Sequence, residues 1–208
     1  VSSSADPRTP HQAAHSGGGH HDGCFVAVAG PSGVGKDTLI RGVQERLSGD
    51  RRFVFARRII TRQGDCTEDH DSVSESEFEV LRQQDAFLIH WSANGLSYAI
   101  PAGLGFDMRE GRIVIANVSR TVLPEIRQRF RRHLVVHVIA APEVLAARLS
   151  ARGREDAAAQ QARLTRALLQ DATVRADVTI DNSDNLADSL DAFEQAIKSL
   201  TYTMPLGR

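Results

Sequence analysis

The chain has 208 residues, enough for one packed α/β domain and short for two. Its hydrophobic content of 41% suits a globular protein, and a formal net charge of -1 excludes a global attraction to nucleic acid or anionic lipid. Cys24 and Cys66 make no metal spacing, no apolar run reaches membrane-spanning length, and the N-terminus lacks the basic-then-apolar order of a secretory leader. A cytoplasmic protein with reduced thiols is therefore expected.

Residues 1–23 are rich in Ser, Gly, Pro and His and offer little to bury. They read as a disordered arm. Its histidines (His11, His15, His20 and His21) could hold a metal loosely, but a solvated tail fits the composition better. The apolar run CFVAVA (24–29) is fit for a strand buried on both faces. A Gly-rich turn follows, then a helix from about Lys36 to Leu47 that stops at Ser48-Gly49-Asp50. RFVFARRII (52–60) contains a second strand, and SESEFEVLRQQ (74–84) opens on a capping box between Ser74 and Glu77.

FLIHWSA (87–93) and LSYAI (96–100) flank Asn94-Gly95, the signature of a tight hairpin. RIVIAN (112–117), LVVHVIA (134–140) and ADVTIDN (176–182) are further strands. Pro124 and Pro142 open helices; 156–169 and 184–200 complete the helical set. Alternating strands and helices predict an α/β fold with a parallel sheet flanked by helices. The hairpin interrupts that alternation, so a small antiparallel insertion is expected over roughly 60–105. The domain then spans 24–200, with 201–208 as a tail.

GPSGVGKDT (30–38) follows a buried strand and opens a helix, the context in which G-x-x-x-x-G-K is a phosphate-binding loop. Gly30, Gly33 and Gly35 let the backbone curl around a phosphate with Pro31, Ser32 and Val34 between them, and Lys36 reaches the β- and γ-phosphates. Thr38 stands in the first helical turn. The residue after the lysine is ordinarily Ser or Thr, bound to Mg2+; here it is Asp37. A carboxylate there is either a plain helix N-terminal charge or a metal ligand. RIVIAN ends in Asn117, where many such proteins carry a metal-binding Asp, so relocation of the metal's charge to Asp37 is the favoured reading. Without the cation, Asp37 is expected to weaken ATP binding.

AARLSARGRED (146–156) puts Arg148 and Arg152 on one helix face, able to clamp a transferring phosphoryl group, with Arg163 on the next helix. This defines a short arginine lid at about 148–156. The bland alternative is a solvated basic helix.

GPSGVGK, Ile60-Thr61-Arg62, SESEF, NGLSY and RLSARGRE occur in the order found in guanylate-kinase-like P-loop kinases, which residues 24–200 resemble. The acceptor region departs from the guanylate kinases. After the arginine it reads Gln63-Gly64-Asp65 and then Asp69-His70-Asp71, and the expected strand-end carboxylates are Asn117 and Ser119-Arg120. GPSG-x-GKD, ITR, W-x-ANGL-x-Y, N-x-SR-x-x-LP, RL-x-x-RGRE and ARL-x-RA more closely resemble the ribose 1,5-bisphosphate phosphokinase family, which carries Asp after the loop lysine. That resemblance implies ATP and Mg2+ as cofactors. The reaction it implies is phosphorylation of ribose 1,5-bisphosphate to 5-phosphoribosyl 1-diphosphate (PRPP) in phosphonate catabolism. The sugar-phosphate acceptor is expected at Arg62, Glu68, His70, Asn94, Tyr98, Ser119, Arg120 and Arg163, although Asn94 could simply shape its turn and Tyr98 could pack on Trp91. Guanylate kinase and a non-catalytic interaction module on the same fold are the competing readings. No nucleic-acid or membrane partner is expected, and the oligomeric state is left open.

Overall fold

The computed structural model describes residues 23–62, 70–151 and 174–202. Strands β1 (Cys24–Ala29), β2 (Phe53–Phe55), β7 (Ile113–Asn117), β8 (His133–Ile139) and β9 (Val178–Asp181) form one sheet in the order β2-β7-β1-β8-β9. All its pairings are parallel. Helices α1 (Lys36–Arg46), α5 (Pro142–Ala151) and α6 (Leu186–Tyr202) cover one face. Helix α4 (Leu123–Arg129) and the insertion cover the other.

Strand β1 shows why this order forms. All six of its residues are buried. Cys24, Val26 and Val28 pack against Leu39, Val43, Leu145, Phe193 and Ile197. Phe25, Ala27 and Ala29, one step out of phase, pack against Ile100, Ile126 and Phe130. A strand with apolar side chains on both faces is stable only at the centre of a doubly covered sheet. Each large side chain buried this way stabilises the fold by about 1.5–3 kcal/mol.

The run 52–60 makes two strands rather than one. β2 joins the main sheet, and β3 (Arg58–Ile60) crosses into a second sheet ordered β4-β3-β6-β5. The insertion is mixed, not purely antiparallel: β4 (His70–Ser72) pairs parallel with β3, while β6 (Leu96–Pro101) pairs antiparallel with β3 and β5 (Phe87–Ala93). A register shift between Phe87 and Ile89 lets Phe87 face α2 (Glu75–Gln83) while Ile89 and Trp91 face the main domain. The expected capping box is present: Glu77 N donates to Ser74 Oγ at 3.2 Å, and Ser74 N donates to Glu77 Oε2 at 2.7 Å.

A short helix α3 (Leu104–Arg109), which sequence patterning did not suggest, leads into β7. Gly23, placed in the arm from composition, is buried, and its amide donates to Met108 O at 2.8 Å. The other calls on residues 1–22, on Cys66, on the helix at 156–169, on most of the lid and on residues 203–208 fall outside the described residues. Among the described residues no helix is long and apolar enough to cross a membrane.

Candidate active site

The C-terminal ends of the parallel strands bring polar residues together at one edge of the sheet, where α/β proteins place their ligands. β1 runs into the glycine loop, β7 ends in Asn117, and Asn182 follows β9. Gly30, Gly33 and Gly35 have φ of 148°, 88° and 98°. A Cβ on Gly30 would run into Val138 O, and one on Gly35 into Asn182 Nδ2, so these two positions demand glycine. Gly35 also caps α1 without a side chain, leaving the first-turn amides to the loop's hollow. Lys36 Nζ donates to Gly30 O and Pro31 O, 2.8 Å each, which holds the ammonium against the loop. Ser32 and Thr38 are exposed at its mouth.

Val34 O is a tie point. It accepts from Asn182 Nδ2 at 2.8 Å and from Arg148 Nη1 at 3.2 Å. The lid arginine predicted on α5 therefore does reach the phosphate loop. Asn182, only 4% exposed, braces the same carbonyl.

Asp37 does not stand as an uncompensated charge. Its Oδ1 accepts from Asn117 Nδ2 at 2.7 Å and from Arg58 Nη2 at 3.2 Å. The strand-end asparagine and the loop carboxylate, 80 positions apart in the sequence, thus share one spot. Arg58 supplies a counter-charge that sequence reasoning missed, and it softens the repulsion expected between Asp37 and a triphosphate.

The acceptor residues fall into three groups. Glu68, Arg152 and Arg163 lie outside the described residues. Asn94, Tyr98 and Ser119 each have a structural job. Asn94 is exposed in the β5–β6 turn with φ of 52°. Tyr98 stacks on Trp91 with ring centroids 5.5 Å apart. Ser119 Oγ accepts from Thr121 N at 3.3 Å, capping a single 3-10 turn that begins at Arg120.

Arg62, Arg120 and His70 remain the acceptor candidates among the described residues. Arg62 lines an open, polar cleft of about 770 Å3 with Thr61, Ser72 and the first turn of α2. Arg120 is half-buried just past the end of β7. His70 is buried, and neither ring nitrogen has a partner among the described residues.

Residues 26–168 match the AAA domain family. A ribose 1,5-bisphosphate phosphokinase PhnN of Brucella melitensis is 47% identical over 184 residues, spanning 86% of this chain and 96% of its own. Its namesake in Acidiphilium cryptum is 50% identical over 160 residues, 77% of this chain and 84% of its own. The chain belongs to the ribose 1,5-bisphosphate phosphokinase family. A solved guanylate kinase from Anaplasma phagocytophilum superposes with a TM-score of 0.69 over 88% of each chain, at 17% identity. At that identity the likeness is one of fold.

In this phosphokinase family member two site residues escaped the sequence reading. Arg58 lies inside the run 52–60, and nothing in its local spacing signals its contact with Asp37. Asn182 closed the last strand, where a polar residue at the C-terminal edge of a parallel sheet was the clue.

Proposed function

We propose that this protein transfers the γ-phosphoryl group of ATP to ribose 1,5-bisphosphate, giving ADP and 5-phosphoribosyl 1-diphosphate, a step of phosphonate catabolism in the cytoplasm. The observation that carries the reading is the 47% and 50% identity to relatives bearing that activity in their names, over most of both chains. An intact phosphate loop with Lys36 and Arg148 in reach supports it and counts against a non-catalytic module.

The residues suit the chemistry. A phosphate monoester has its second pKa at about 6, so the attacking oxygen is already anionic at neutral pH. No general base is required. The protein's work is to hold two anions in line and neutralise the charge that spreads over the transferring group. Lys36 and the loop amides hold the β- and γ-phosphates. Arg148 and Arg152 stabilise the equatorial oxygens.

Asp37 is a half-exposed carboxylate beside the phosphate loop, its Oδ1 accepting from Asn117 and Arg58; a single carboxylate so placed can hold Mg2+ when phosphates and water complete its shell. Bound there, Mg2+ supplies charge neutralisation of the triphosphate. Arg62, Arg120 and His70, with Glu68 and Arg163, orient the sugar phosphate.

The test is ADP release with ribose 1,5-bisphosphate, ribose 5-phosphate and GMP offered side by side. Turnover is expected with the bisphosphate. Turnover with GMP alone would make the protein a guanylate kinase, and failure to bind ATP at all would make it a binding module.

A further inference from the structure

Arg58 and His70 are neighbours that the loop chemistry does not use. They are paired in register across the parallel strands β3 and β4, so they share a face. Ile59, between Arg58 and Ile60, packs against α2 on the opposite face. Arg58 and His70 therefore face the phosphate-loop domain. The Arg58 side chain is only 12% exposed, and it reaches across to Asp37 on α1. His70 is 6% exposed with both ring nitrogens unpartnered among the described residues. A buried imidazole without a partner destabilises a fold, and such groups persist where a ligand completes them.

We infer that Arg58 is a shared cation. It neutralises Asp37 while the metal position is empty. With Mg2+ and ATP bound, Asp37 would serve as a ligand of the cation, and the Arg58 guanidinium would be free to bind, together with His70, the acceptor phosphate next to the γ-phosphate. The physical reason is charge balance. Asp37 cannot engage Arg58 and a divalent cation at full strength through the same oxygen, whereas a guanidinium binds a phosphate through two parallel hydrogen bonds. The insertion that carries Arg58 and His70 is thereby linked to the state of the nucleotide site. Acceptor affinity is low in the free enzyme and rises once Mg2+ and nucleotide are bound. The acceptor half of this inference rests on the proposed function; the nucleotide half does not.

Calorimetry decides both halves. In the first arm ATP is titrated, with chelator, into wild type, Arg58→Gln, Asp37→Asn and the double variant. Arg58→Gln is expected to weaken metal-free ATP binding about tenfold in the wild-type background and to do much less when Asp37 is already neutral. With Mg2+ that coupling should vanish. Coupling of equal size with and without Mg2+, or none in either, overturns the shared-cation role whatever the acceptor is.

In the second arm ribose 1,5-bisphosphate is titrated into enzyme loaded with Mg2+ and a non-hydrolysable ATP analogue. Arg58→Gln and His70→Ala are each expected to weaken it about tenfold. Arg58→Lys should restore the first arm but not the second, because an ammonium keeps the charge and loses the fork. Unchanged acceptor binding in Arg58→Gln and His70→Ala, with wild type binding normally, removes the acceptor role. Absence of acceptor binding in wild type instead overturns the proposed substrate, and with it this acceptor site, while the first arm still stands.

Discussion

Asp37 concentrates the conflict in this fold, because a carboxylate has been placed where a polyphosphate must lie. Its neighbours show how the conflict is contained: Asn117 and Arg58 both donate to Oδ1, and the side chain is half-exposed, open to exchange Arg58 for a metal. If the cation role is right, Asp37→Ala should raise the Mg2+ concentration needed for half-maximal ADP formation by about tenfold or more. An unchanged metal requirement would leave Asp37 as a helix N-terminal charge and no more. At this scale the sequence was most informative where geometry follows from residue type alone. Glycine at 30 and 35 and a lysine at 36 dictate a phosphate cradle by themselves. Arg58 was illegible for the opposite reason: its meaning lies in a contact with α1 that no local spacing encodes.

Helix α2 illustrates what an element can encode by itself. Its capping box satisfies two amides at the first turn, and hydrogen bonds from Ser74 hold the Glu77 carboxyl below the ordinary carboxylate range. Ser74→Ala should cost about 1 kcal/mol of stability in denaturant unfolding, with little change in the slope of the transition. The same helix lines the cleft that holds Arg62, so a loss of acceptor affinity larger than the loss of stability would show that the cap also positions substrate. Strands were less legible than helices. The run 52–60 gave one apolar signal but serves two sheets, because the break at Ala56-Arg57 is imposed by partners on either side. β4 has three residues, two of them exposed, and exists only because β3 offers it an edge. A strand that short leaves no periodicity to read.

Taken as a whole, the molecule buries its first strand so thoroughly that Cys24 becomes a probe of global stability. Burial pushes its thiol up to about 11, a shift the nearby Arg132 opposes only in part. The folded state therefore favours the neutral thiol. Below the ordinary thiol range both states are protonated and the favourable term is fully present; as pH rises towards 11 the unfolded chain ionises first and stability falls. Between pH ~9 and 11 wild type should lose up to roughly 2–3 kcal/mol more than a Cys24→Ala variant, read as the difference between their denaturant midpoints. Parallel slopes for the two proteins would mean that the strand opens to solvent before the thiol titrates.

The sequence by itself determined the doubly covered parallel sheet, the phosphate loop at its first strand and the capped helix of the insertion. Each rests on local chemistry: hydrophobic period, glycine conformations and side chains that bond their own backbone. Only the tertiary structure decided that Asn117, Arg58 and Asp37 meet, that Asn182 and Arg148 brace one loop carbonyl, and that buried His70 has no hydrogen-bond partner for its ring among the described residues. Those facts depend on which strands become neighbours, and neighbours far apart along the chain are chosen by packing of the whole rather than by any segment of it.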